Sequence, residues 1–149
     1  MPDIRRILLV EDSADDAELI TAALKRQNLR NPIDVVRDGD QALDYLLRRG
    51  AFAARSAENP GLVLLDLKLP KVSGLEVLAA IRKDERIRRL PVVILTSSRE
   101  ESDVVRSYEL GTNAYVVKPV EFTDFVAAVR EIGLFWAVLN EVPKEGSPA

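Results

Sequence analysis

Four short runs along the chain are apolar almost without interruption: Ile7 to Val10, Gly61 to Leu65, Val92 to Leu95 and Ala114 to Val117. A strand covered on both faces has no solvent side for polar residues, so such runs predict parallel strands buried between helical layers. A fifth segment, Ile33 to Arg37, alternates instead, with Ile33 and Val35 on one side and Asp34 and Val36 on the other. That pattern predicts a strand at the sheet edge.

Helical periodicity fills the intervals. Ser13 with Asp16, Ser73 with Glu76 and Ser98 with Glu101 each have capping-box spacing, so three helices are expected to begin directly after three strands. Leu19, Ile20, Ala23 and Leu24 form one apolar stripe, Ala42, Leu43, Leu46 and Leu47 a second, and Val77, Leu78 and Ile81 a third. A fourth helix is expected from about residue 99 to 110, stopping at Gly111, and a fifth carries Phe122, Phe125, Val126, Val129, Ile132 and Trp136 at helical spacing.

Five strands and five helices in strict alternation imply right-handed crossovers and an α/β fold. The expectation is a doubly wound five-stranded parallel sheet, flavodoxin-like, with strand order 2-1-3-4-5. The polar second strand then falls at an edge. Gly50 to Pro60 reads as an irregular surface loop, residues 1–140 as a single domain, and residues 141–149 as a tail too short for an output domain.

Composition narrows the chemistry. The 149 residues contain neither Cys nor His. Disulfides, Cys/His zinc sites, haem ligation and thiolate or imidazole catalysis are therefore excluded, and any metal must sit on oxygen. A net charge of −3, from 21 Lys+Arg against 24 Asp+Glu, gives no reason to expect nucleic acid or an anionic membrane as partner. The basic segment Arg82 to Arg89 is interrupted by Asp84 and Glu85 and reads as the solvated end of the third helix. No apolar run approaches the ~20 residues of a membrane span and no secretory signal opens the chain, so a cytoplasmic location is expected.

In an open α/β sheet, ligands bind beyond the carboxyl ends of the strands. Glu11 and Asp12 follow the first strand, Asp66 the third, Thr96 and Ser97 the fourth, and Lys118 the fifth. Each has a plainer reading alone. Glu11, Asp12 and Asp16 suit a helix N-terminus, Lys118 a solvated surface, Thr96 a turn, and Tyr115 a half-buried edge. Asp66 resists that treatment, because an acid at the mouth of a buried strand is costly without a cation. Three converging carboxylates repel one another unless a small hard cation such as Mg²⁺ sits among them, which leaves room for a phosphoryl group. A lysine and a hydroxyl would pair with its oxygens, and Asp66 would be the nucleophile.

These residues carry a resemblance. Ile7-Leu-Leu-Val-Glu-Asp12, Leu62-Val-Leu-Leu-Asp66 followed by Pro70 and Gly74, Val93-Ile-Leu-Thr96-Ser97, and Ala114-Tyr-Val-Val-Lys118-Pro119 occur in order. Over residues 4 to about 135, the chain resembles a receiver domain of the two-component response regulators. The resemblance implies that Asp66 is the phosphoacceptor and that Asp12 and Asp66 bind Mg²⁺ directly. Glu11 would act through a metal-bound water and the Lys68 backbone carbonyl would supply a further ligand. Thr96 and Lys118 would hold phosphoryl oxygens, Tyr115 would be the switch aromatic, and the Lys118-Pro119 bond would be cis. The implied donor is a sensor histidine kinase and the implied output a change of protein partner.

Lys68 and Ser98, two residues after Asp66 and Thr96, offer no carboxylate to orient an attacking water, so slow self-dephosphorylation is expected. Leu134, Phe135, Trp136, Ala137, Val138 and Leu139 are apolar in every direction, so something must cover this end of the last helix. A homodimer through Phe135, Trp136 and Leu139 is the expectation, with a tail folding back as the alternative. The long Gly50 to Pro60 loop and the Phe135-Trp136 ending also resemble stand-alone regulators paired with bacterial phytochrome kinases. Other classes fit less well. A phosphohydrolase of related fold would need a second aspartate where Lys68 stands, and a flavin domain would need a phosphate cradle where Glu11 to Asp16 stand. A constitutive adaptor would not need the acids, Thr96 and Lys118 that are all present.

Overall fold

The computed structural model describes residues 6–26, 31–55, 58–118 and 123. Strand β1 spans Ile7–Val10, β2 Ile33–Val36, β3 Leu62–Leu65, β4 Val92–Thr96 and β5 Ala114–Val117; helix α1 spans Ala14–Arg26, α2 Gly39–Leu47, α3 Gly74–Lys83 and α4 Glu101–Glu109. The strands form one parallel sheet in the order β2-β1-β3-β4-β5, as the alternation predicts. The fifth expected helix and the apolar segment with Phe135, Trp136 and Leu139 lie outside the described residues. So does Pro119, and with it the Lys118-Pro119 bond.

The continuous apolar runs are explained by the two faces they serve. Ile7, Leu9, Leu62, Leu64, Val93 and Leu95 pack with Ala17, Ile20 and Leu24 of α1. Their alternates Leu8, Val10, Val63, Leu65, Val92 and Ile94 pack with α2 and α3 through Ala42, Leu46, Val77, Leu78 and Ile81. Because side chains alternate across a strand, only a run apolar at every position can satisfy both layers. β2 and β5 each have one neighbour: in β2 Val35 is exposed while Val36 is buried, and in β5 Ala114 and Val116 are buried while Tyr115 and Val117 are half-buried, so the Ala114 to Val117 run is an edge strand and not one buried on both faces.

Leu19 is 69% exposed and Ala17 buried, so the inward stripe of α1 is Ala17, Ile20 and Leu24. At about 100° per residue, Leu19 lies on the far side from that set. In α2 the buried face includes Tyr45, whose hydroxyl donates to Asp34 at 2.5 Å, and the helix is capped by Asp38, which accepts from the Gln41 N–H at 2.8 Å. At α3 Ser73 caps the helix as expected, its Oγ accepting from the Glu76 N–H at 3.3 Å, while the Glu76 carboxylate accepts from the Ser73 hydroxyl at 3.2 Å in place of the backbone N–H. At α4 the expected box does not form. The helix starts at Glu101, and Ser98 donates to Asp103 at 2.5 Å.

Within the expected Gly50 to Pro60 loop, residues 50–55 are held by specific contacts. They contain a 3₁₀ turn at Gly50–Phe52, the Phe52 ring meets Tyr45 edge-on at 5.2 Å, and the Arg55 guanidinium lies 4.4 Å above the Tyr45 ring. Arg82 is not a solvated end. Its guanidinium donates to the carbonyls of Arg88, Leu90 and Gly111 and to the Asn113 side chain, tying α3 to the loop before β5.

Candidate functional site

Sheet register brings the candidate residues together. Val10 of β1 lies beside Leu65 of β3, so the next residues, Glu11 and Asp66, leave neighbouring strand ends at one level. The Asp66 N–H donates to the Val10 carbonyl at 3.1 Å, and the Lys118 N–H donates to the Thr96 carbonyl at 2.8 Å. Thus the mouths of β1, β3, β4 and β5 open onto a common acidic recess.

Lys118 is its electrostatic centre. Its ammonium donates to Glu11 Oε1, to Asp16 Oδ2 at 3.0 Å and to Asp66 Oδ2 at 3.1 Å. The Lys118 side chain is 13% exposed, that of Glu11 1% and that of Asp66 9%. Burial alone would pull the lysine pKa down, but the hydrogen bonds to Glu11, Asp16 and Asp66 outweigh it and hold it above the ordinary lysine value. Burial pushes the Glu11 carboxyl up, against the pull of Lys118 and of the Ser13 N–H. The ammonium therefore remains charged and partly neutralises acids that would otherwise repel one another.

Glu11, Asp12 and Asp66 each offer a carboxylate oxygen, and the three oxygens lie within 4.8 Å of one another. Hard, all-carboxylate donors at that spacing suit a small divalent cation, and Asp12 is exposed and open to solvent on its outer side. The Lys68 N–H donates to Asp66 Oδ1 at 3.3 Å, so the backbone after the acid is folded against it.

Thr96 is fully buried at the end of β4, and its Oγ1 accepts from the Ser98 N–H at 3.4 Å. The Tyr115 hydroxyl donates to the Ser98 carbonyl at 2.9 Å. Ser98 therefore links Thr96 to Tyr115, and its own hydroxyl is held by Asp103.

Two residues escaped sequence reasoning as parts of this site. Asp103 is one. Asp16 is the other, because its spacing from Ser13 suggested a capping role. Its N–H does donate to Ser13 Oγ, but the Ser13 N–H donates to Glu11, which leaves the Asp16 carboxylate for Lys118. The only sequence signal was an acid one helical turn beyond Asp12.

The chain matches the family described as response regulator receiver domain over residues 7–130. It is 46% identical to the probable methanogenesis regulatory protein FilR2 of Methanothrix harundinacea (strain 6Ac), covering 92% of this chain and 86% of that protein. To the response regulator Rcp1 of Synechocystis sp. (strain ATCC 27184 / PCC 6803 / Kazusa) it is 42% identical, covering 92% of each. The Mn²⁺-bound form of Rcp1 superposes with a TM-score of 0.74 at 40% identity, covering 97% of this chain and 99% of that one. The bacteriophytochrome response regulator RtBRR superposes with a TM-score of 0.84 at 63% identity, covering 95% of this chain and 86% of that one.

Proposed function

The chain belongs to the response regulator receiver family, and from that membership we propose that it accepts a phosphoryl group from a histidine kinase onto Asp66. The observation that carries this reading is the convergence of Lys118 and the acids Glu11, Asp12 and Asp66 at one sheet edge. An Asp66 carboxylate oxygen attacks the phosphorus, the P–N bond to the donor imidazole breaks, and an acyl phosphate forms as the imidazole leaves. Lys118 pairs with one phosphoryl oxygen and the Thr96 hydroxyl donates to another. A divalent cation, with Mg²⁺ the proposed ion, would be held by Glu11, Asp12, Asp66 and the Lys68 carbonyl and would neutralise charge on the phosphoryl oxygens.

The readout follows from the chain of contacts through Ser98. Motion of Thr96 toward the phosphoryl group disturbs the Ser98 N–H contact, and the Ser98 carbonyl is held by Tyr115. Tyr115 then turns inward and alters the surface of α4 and β5. The kinase is proposed to be of the bacteriophytochrome class, in view of the similarity to RtBRR. A second copy is proposed to cover Phe135, Trp136 and Leu139. No nucleic acid or membrane partner is proposed; no helix among the described residues is long and apolar enough to cross a membrane, and a cytoplasmic location fits the kinase partner.

Intact-mass analysis after incubation with acetyl phosphate tests the acceptor. The expected result is one phosphoryl adduct that requires both Mg²⁺ and Asp66 and is absent in Asp66→Asn. No adduct in the wild type would favour a constitutive adaptor. The adduct should also hydrolyse slowly, since Lys68 and Ser98 bring no carboxylate of their own. Hydrolysis is expected to accelerate in Lys68→Asn or Ser98→Glu, and unchanged or slower decay in both would reject that account.

A further inference from the structure

An ammonium has three N–H donors, and in Lys118 all three are directed at carboxylates: Glu11, Asp16 and Asp66. Two of those partners also belong to the carboxylate trio suited to a cation, whereas Asp16 does not. A divalent ion among Glu11, Asp12 and Asp66 would claim the electron density of Glu11 and Asp66 and repel the ammonium. Lys118 then needs an acceptor outside the trio to remain beside Asp66. Asp16 is placed to be that acceptor. Its backbone is fastened in the first turn of α1 by the Ser13 hydroxyl, while Glu11 takes the capping contact that the Asp16 carboxylate would otherwise make. Its side chain is 41% exposed, so holding the lysine costs it little desolvation.

We infer that Asp16 is a positioning residue for phosphoryl transfer, anchoring the Lys118 ammonium next to Asp66 once the cation engages Glu11 and Asp66. This rests on the acceptor reading above. With one N–H held by Asp16, the other two donors are available to phosphoryl oxygens. The anchor also joins the start of α1 to the end of β5, residues 102 positions apart in the chain.

The test is the rate of adduct formation from acetyl phosphate at saturating Mg²⁺, followed by intact mass in the wild type, Asp16→Ala, Lys118→Ala and the double variant. Asp16→Ala is expected to slow phosphorylation about tenfold, the scale of coupling between contacting residues. In the Lys118→Ala background the same change should have almost no further effect. A merely structural loss at the α1 start would slow both backgrounds by the same factor, and that result would overturn the inference. So would a wild-type rate in folded Asp16→Ala. Asp16→Asn keeps an acceptor oxygen without the charge and should fall between, so the question stays answerable if the alanine variant folds poorly. Failure of the acceptor reading looks different: the wild type takes no adduct, or the adduct survives Asp66→Asn, and the inference falls with it.

Discussion

Lys118→Met is expected to destabilise the metal-free protein by about 3 kcal/mol, because removing one member of a buried charge cluster leaves the others uncompensated. Methionine keeps the length and apolar packing of the lysine stem, so the loss reports the charge rather than a cavity. What remains is a nearly buried Glu11 and Asp66, with exposed Asp12 close by and no cation among them. A divalent cation replaces the missing charge and meets no competing ammonium. The variant should therefore bind Mg²⁺ more tightly than the wild type and recover most of its stability as Mg²⁺ saturates, since a ligand that binds only the folded state stabilises it by mass action. Urea unfolding in chelator and in excess MgCl₂ checks both parts. Equal stability of the two proteins in chelator would show that the ammonium is not what holds the acids together.

Gly74→Ala should be the most damaging small substitution near the site. Helix propensity alone favours alanine by about 1 kcal/mol, which would make the variant more stable. Space decides otherwise. A Cβ at Gly74 would lie 2.1 Å from the Asp66 carbonyl oxygen and 2.6 Å from the Leu67 Cα, both backbone atoms that cannot swing away. The Gly74 N–H also donates to the Leu67 carbonyl at 2.9 Å, so the start of α3 is drawn against the turn that carries Asp66. Relief requires moving that turn, and the expected net cost is about 3 kcal/mol. A denaturant midpoint at or above that of the wild type would refute the clash.

Legibility in the sequence followed the range of the interaction involved. The three inner strands β1, β3 and β4 could be read because each is apolar on both faces, and β2 because its alternation marks an edge, whereas the apolar run of β5 hides that this strand is the other edge. The expected α1 stripe is right at Ile20 and Leu24 and differs in including Leu19 in place of Ala17, because an apolar side chain on the outer face of a helix has no local mark that tells it from an inner one. Tyr45 was missed as a core residue because its burial depends on Asp34 from β2 and Arg55 from the following turn. The Ser98–Glu101 spacing does not yield a box because Asp103 offers the Ser98 hydroxyl an acceptor that competes with helix capping.

The residues at the strand ends were named by local pattern alone. Hydrophobic period and turn chemistry act over a few residues, so they specify which segments are strands and helices, their alternation, and therefore which side chains stand at the mouths of the strands. How those side chains pair was decided only by the fold. Register sets Glu11 level with Asp66, and the crossovers return Lys118 to both from more than 50 residues away. The assignment of Asp16 to that lysine, instead of to its own helix cap, is a competition between a contact three residues away and one across the sheet edge. Such competitions are settled by electrostatics in three dimensions, where one ammonium amid several acids is worth more than a single backbone hydrogen bond.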